Sequence, residues 1–180
     1  APEPGPLPRP ADPPPELAGA LRRGGVHPLR DDRPGELWRE AAYRLPLPDG
    51  FDREELARLL QSRGPAATVP AGGGVAVPDP GLPIVLPVRD PTVSLFYLRS
   101  PLELPSPDGC PIDALFVIIS PTVAGHDRLL AGVRAALGDP AFRSAVQGQA
   151  SEESVLELAE RWEAPARRPR AAGRGGRDVL

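Results

Sequence analysis

The sequence predicts a single α/β domain, a mixed β-sheet of about four to five strands flanked by helices on both faces. Three observations carry that expectation. Apolar residues recur at helical spacing toward both ends, whereas the middle of the chain holds short β-branched and aromatic runs. One of those runs, Ala114 to Ile119, is apolar enough to be a central strand covered on both sides. With 180 residues of which 41% are hydrophobic, the chain is long enough for one real core despite 27 prolines.

In chain order, Glu16 to Arg23 and Gly35 to Leu45 place Leu17, Ala20, Leu21 and then Leu37, Trp38, Ala41, Ala42, Leu45 on one helical face each. Between them Val26-His27-Pro28-Leu29 reads as a short strand, which its proline confines to an edge. A third helix starts at Asp52, whose side chain caps it with Glu55 three residues on, and ends at Ser62 before Gly64 and Pro65. Val69 to Gly74 reads as a proline- and glycine-rich turn, followed by short strands at Val75–Val77 and Ile84–Leu86. Val93 to Leu98 and Ala114 to Ile119 read as longer strands. Helices return over Ala124–Leu137, after the Asp139 cap and Pro140 to Gln147, and over Ser151–Trp162.

Residues 16–163 form the expected domain. Residues 1–15 carry prolines at 2, 4, 6, 8, 10, 13, 14 and 15 and read as a disordered linker in polyproline-like conformations. Residues 164–180, with five arginines and three glycines and almost nothing apolar, read as a disordered tail. The lone Arg-Gly-Gly at Arg174–Gly176 does not make an RNA-binding segment. Ala1 follows either a removed methionine or a longer upstream segment.

All 21 basic residues are arginine, and the net charge of −3 lacks the basic excess that phosphate-backbone binding requires, so nucleic-acid binding by this domain is not expected. Cys110 is the single cysteine, which excludes a disulfide framework and a cysteine metal cluster. It precedes Pro111 in a turn with nothing basic beside it, so no reactive thiolate is expected. No stretch reaches the roughly 20 apolar residues of a membrane span and no signal sequence is visible, so the expected location is cytoplasmic. No cofactor and no metal are expected. His27 reads as an edge residue, and Trp38 and Trp162 read as core anchors.

A series of landmarks distinguishes the chain further. A helix ends at Arg63; Gly72-Gly73-Gly74 and Val75-Ala76-Val77-Pro78 follow and lead to Asp79. Asp108-Gly109-Cys110-Pro111-Ile112-Asp113 enters the apolar run that closes on Ser120-Pro121, and His126-Asp127-Arg128-Leu129-Leu130 opens the next helix. In order and spacing these resemble the type-2 enzyme IIA domain of the sugar phosphotransferase system, of the fructose, mannitol or nitrogen-regulatory kind. The resemblance covers most of the chain from about Leu17 to Trp162. It implies that Asp79 stands where the family carries its phosphorylated histidine. Arg63 and His126 then stand at the family's phosphate-facing arginine and second histidine.

In a working member of that family, an imidazole nitrogen takes a phosphoryl group from the carrier HPr and passes it to a IIB domain. The arginine fork binds phosphate oxygens and the second histidine donates to them. Asp79 lacks the nucleophilic nitrogen. Its carboxylate, directed toward Arg63, carries one negative charge where a phosphate carries about −1.5 to −2. Pro70 and Pro80 each remove an amide donor around the site. The resemblance therefore implies a regulatory IIA-like domain that no longer relays phosphate and acts through protein–protein contacts. Two alternatives stand beside it: a phosphocarrier accepting phosphate on Asp79 or His126, and a vestigial structural or assembly module. The implied partners are an HPr-like phosphocarrier or another regulatory protein. An upstream DNA-binding domain is a further implied partner, since similar domains occur behind helix-turn-helix segments.

Overall fold

A computed structural model describes residues 16–30 and 33–164. The expectations for residues 1–15 and for the tail beyond Ala164 lie outside the described residues. The order is α1 (Leu17–Gly24), β1 (Val26–Pro28), α2 (Pro34–Arg44), α3 (Arg53–Arg63), a short 3-10 turn (Gly64–Ala67), β2 (Thr68–Gly72), β3 (Val75–Pro78) and β4 (Ile84–Val85). Then come β5 (Thr92–Leu102), β6 (Ile112–Ser120), α4 (Val123–Ala136), α5 (Pro140–Gln147) and α6 (Glu152–Glu163). The expected α/β architecture is present, with six strands in one mixed sheet of order β1-β5-β6-β3-β2 and β4 also paired to β6.

Period-two alternation divides the apolar residues between the two faces of this sheet. Val93, Leu95, Tyr97 and Ala114, Phe116, Ile118 join a cluster with α1, α4, α5 and α6. Phe96, Leu98 and Leu115, Val117, Ile119 join a second cluster with α2 and α3. β6 is the central strand that its composition predicted: every residue from Ala114 to Ser120 is buried. Trp38 is buried in the second cluster, and Trp162 is partly buried against the first.

The stretch Val69–Gly74 departs from the sequence reading. Most of it is strand β2, antiparallel to β3, and only the glycines turn the chain. Gly72, Gly73 and Gly74 have φ of 94°, 61° and 81°, a run that residues with a Cβ adopt at a cost. Pro70 is tolerated because the Asp79 amide donates to Ala67 O, which sets the register so that Pro70 falls at a non-hydrogen-bonded pair with Ala76. Its missing donor faces outward, and among the described residues β2 has no neighbour on that side, so the proline blunts a sheet edge that would otherwise template another strand. β5 likewise extends past its expected end to Leu102, accommodating Pro101 where the pairing with β6 becomes irregular between Tyr97 and Leu102.

Long-range side-chain bonds close the structure. The buried Glu163 carboxylate accepts the amides of Leu17 and, at 3.2 Å, Ala18, so the last helical residue of the described chain caps its first helix. Gly24 packs so closely on β5 that a Cβ there would lie 1.9 Å from Val93 O. His27, which showed no partner in the sequence, donates through Nε2 to Gly24 O at 2.8 Å and packs on Phe96.

Candidate functional site

The site grows out of an interruption in the sheet. β5 occupies one side of β6, so β3 and β4 lie in series along the other, both parallel to it, at Ala114–Leu115 and at Ile119–Ser120. The segment Asp79–Pro83 leaves the sheet between them. Pro78 ends the pairing because its missing amide falls on the β6 side of the strand. Beneath the excursion lies a cavity of about 30 Å³ lined by Trp38, Pro78, Leu82, Ile84 and Val117, large enough for a water molecule and little more.

Asp79 starts a tight turn. Its carbonyl accepts Leu82 N at 3.1 Å and its Oδ1 accepts Gly81 N at 2.7 Å. Asp at the first position and Pro80 at the second match the preferences of such a turn, in which Gly81 needs no positive φ, and the short carboxylate mimics a backbone acceptor. Asp-Pro at the head of Asp-Pro-Gly-Leu is the sequence signature of this local role. Arg63, the last residue of α3, reaches over the back half of the same turn, where Nη1 donates to Leu82 O at 3.2 Å and Pro83 O at 3.3 Å. The two residues thus hold one loop. Among the described residues no ion pair or hydrogen bond joins the Asp79 carboxylate to Arg63, whose Nη1 donates to the loop carbonyls.

His126 lies one turn into α4, whose first turn is capped by Thr122 Oγ1 accepting Gly125 N at 3.0 Å. The imidazole is 0% exposed and neither ring nitrogen has a hydrogen-bond partner. Nδ1 stands 3.6 Å from Oδ1 of the exposed Asp127, beyond hydrogen-bonding reach. Burial lowers the imidazole pKa below its ordinary value, and Asp127 offsets this only in part. The ring is therefore neutral at pH 7. It is joined to neither Asp79 nor Arg63 by a hydrogen bond, although its helix follows directly on β6.

Three exposed apolar side chains occur at this end of the sheet: Leu82 in the turn, Val85 on β4 and Val123 at the start of α4. Val85 is opposite Ser120, three residues before Val123. Sequence periodicity could not find them, because they sit in a loop, on a two-residue strand and at a helix's first turn. On the hairpin side, Asp108 accepts from Ser106, Gly73 N and Cys110 N, and these bonds hold its carboxyl well below the usual range. The charge of Asp108 in turn pushes the Cys110 thiol up, away from thiolate chemistry. Among the described residues no group of three potential metal ligands converges, and no helix is long and apolar enough to cross a membrane.

This architecture, a mixed sheet between two helical layers, matches the fold of phosphotransferase-system IIA domains. The nitrogen-regulatory protein IIA-Ntr from Neisseria meningitidis superimposes with a TM-score of 0.61 at 19% identity, covering 79% of this chain and 98% of that one. A protein from Streptococcus pyogenes named as a PTS IIA domain gives a TM-score of 0.57 at 19% identity, over 81% and 95% of the two chains. In sequence, the chain is 26% identical over 114 residues to a nitrogen regulatory protein of Pseudomonas aeruginosa, spanning 62% of this chain and 71% of that protein. No protein-family model matches the chain. The resemblance drawn from the landmarks is thus matched in fold and in sequence.

Proposed function

We propose that this chain is a IIA-like regulatory domain that works by binding a protein partner and does not relay phosphate through a phosphohistidine. The observation that carries the reading is Asp79. At the position where the resemblance puts the phosphorylated imidazole there is a carboxylate, and its Oδ1 is committed to the Gly81 amide as part of a turn.

The surroundings support the same reading. Receiving a phosphoryl group calls for a re-usable nucleophile and for donors free to follow the developing charge. Arg63 Nη1 is occupied by the Leu82 and Pro83 carbonyls, and the His126 ring is sealed in the interior in its neutral form. A partner-binding role needs an exposed surface with apolar contacts, and Leu82, Val85 and Val123 supply one beside the turn. The fixed charge of Asp79 at the edge of that surface gives a partner a permanent anionic feature to recognise.

One observation favours the carrier alternative: Asp79 Oδ2 accepts no hydrogen bond among the described residues and is the atom on which an acyl phosphate would form. Incubation with phosphoenolpyruvate, enzyme I and HPr, followed by intact mass measurement at neutral pH, separates the two. The regulatory reading expects the unmodified mass. Stoichiometric phosphorylation that disappears in Asp79→Ala overturns it.

A further inference from the structure

A second concave feature lies on the helical face at the open edge of the sheet. It has a volume of about 220 Å³ and lies between β2–β3 and the adjoining ends of α4 and α5. Val69 and Val77, directly opposite each other in the ladder, form its floor together with Ala71 and Leu137. Val77 and Leu137 belong to the buried core and Val69 and Ala71 pack against it, so the floor is apolar and fixed. The two charged groups in the lining are Arg134 of α4 and Arg143 of α5, both exposed.

Among the described residues Arg134 and Arg143, like the exposed Arg89, Arg99 and Arg161, form no ion pair, whereas four others do; what sets these two apart is that they line one cleft. Arg22, Arg39, Arg44 and Arg58 each pair with a glutamate. Neither Arg134 nor Arg143 has a carboxylate within ion-pair distance among the described residues. Asp139, one helical turn before Arg143, commits its Oδ1 to the Ala141 and Phe142 amides as the cap of α5. Arg143 Nε donates to Leu137 O at 2.7 Å, which fixes the guanidinium over the cleft and leaves its terminal nitrogens available. In a chain of net charge −3, two unneutralised guanidinia over an apolar floor are a recognition element for an anion with an apolar part. The volume is below the range of drug-sized sites, which fits a ligand of one small ring.

We propose that this cleft binds a small organic phosphomonoester, with Arg134 and Arg143 on the phosphate and the Val69–Val77 floor under the apolar group. Arginine forks match phosphate oxygens in a bidentate way, and the floor discriminates an organic phosphate from inorganic phosphate. The site stands independently of how Asp79 is read, since no residue of the Asp79–Pro83 turn lines it.

The test is a titration of the isotopically labelled full chain with phenyl phosphate, followed by amide chemical shifts, with inorganic phosphate as the comparison. The expected result is saturable shifts at Val69, Ala71, Val77 and Leu137, with inorganic phosphate binding at least about ten-fold more weakly. Arg134→Gln, which breaks no hydrogen bond or ion pair among the described residues, is expected to weaken phenyl phosphate binding about ten-fold, the size of one charge-assisted contact. Arg143→Lys keeps the charge but loses the fork, and is expected to weaken it several-fold. Shifts elsewhere or none at these amides, equal binding of inorganic phosphate, or unchanged affinity in Arg134→Gln each overturn the proposal.

Discussion

Replacing His126 by leucine tests the electrostatic reading of the candidate site. In the folded chain the imidazole is fully buried, with no hydrogen-bond partner on either nitrogen among the described residues, and burial depresses its pKa more than the nearby Asp127 raises it. In the unfolded chain it titrates near the ordinary 6.5. For a histidine whose folded value is lowered, the unfolded state takes up the proton first, so stability is lost as pH falls below about 6.5. Between about pH 7.5 and 5.5 the ceiling on that loss from one group is about 1.4 kcal/mol. His126→Leu removes the titration and relieves the burial of unsatisfied nitrogens, a gain of about 1–3 kcal/mol. Urea unfolding of both proteins at the two pH values is the assay. The variant is expected to be at least as stable at pH 7.5, and its advantage is expected to widen at pH 5.5 by up to that ceiling. A difference that is flat with pH, or a wild type that gains on the variant at low pH, refutes the reasoning, because the ring would then hold its proton in the fold.

Other perturbations follow from the same geometry. Gly24→Ala places a Cβ 1.9 Å from Val93 O and is expected to cost about 3 kcal/mol or more in denaturant unfolding, since backbone and not a flexible side chain must yield. Glu163→Ala uncaps α1 and is expected to cost about 1–2 kcal/mol, with hydrogen exchange accelerated more at the Leu17 and Ala18 amides than in β6. Tyr97 donates to Ala150 O at 2.8 Å, and burial pushes its phenol up to about 12. A raised phenol pKa means that the unfolded chain releases this proton first, so stability is lost as pH rises from about 10 toward 12. Tyr97→Phe is expected to lose about 1 kcal/mol at neutral pH and to show a shallower alkaline decline in thermal unfolding.

Much of the fold was legible because its signals are local. Helical periodicity marked α1–α6, the Asp52 and Asp139 caps marked two helix starts, and the apolar density of Ala114–Ile119 marked the central strand. The edge strand β2 was not legible, since Pro70 and three successive glycines suppress any strand signal. What permits a strand there is the register with β3, which places the missing donor outward. The cap on α1 comes from Glu163, 146 residues from Leu17, a separation no local pattern spans. At the candidate site, spacing pointed to Arg63, Asp79 and His126, but spacing does not say what each atom touches. Arg63 Nη1 went to loop carbonyls and the His126 ring went into the interior. Asp-Pro-Gly-Leu carried a turn signature beneath the family landmark. Arg134 and Arg143 are ordinary helix-surface arginines in sequence, and only the packing of α4 and α5 against the β2–β3 hairpin sets them over one cleft.

The claim that Asp79 ends the phosphorelay is tested most directly by phosphorylation of the wild-type chain and of Asp79→His side by side. Both would be incubated with phosphoenolpyruvate, enzyme I and HPr and read by intact mass. The account predicts an unmodified wild type, whatever the behaviour of the variant. Recovered labelling in Asp79→His would show that the rest of the pocket and the HPr-docking surface remain competent, whereas its failure would favour a vestigial pocket. A wild-type chain that gains one phosphoryl group stoichiometrically, and loses it when Asp79 is replaced by alanine, would contradict the account.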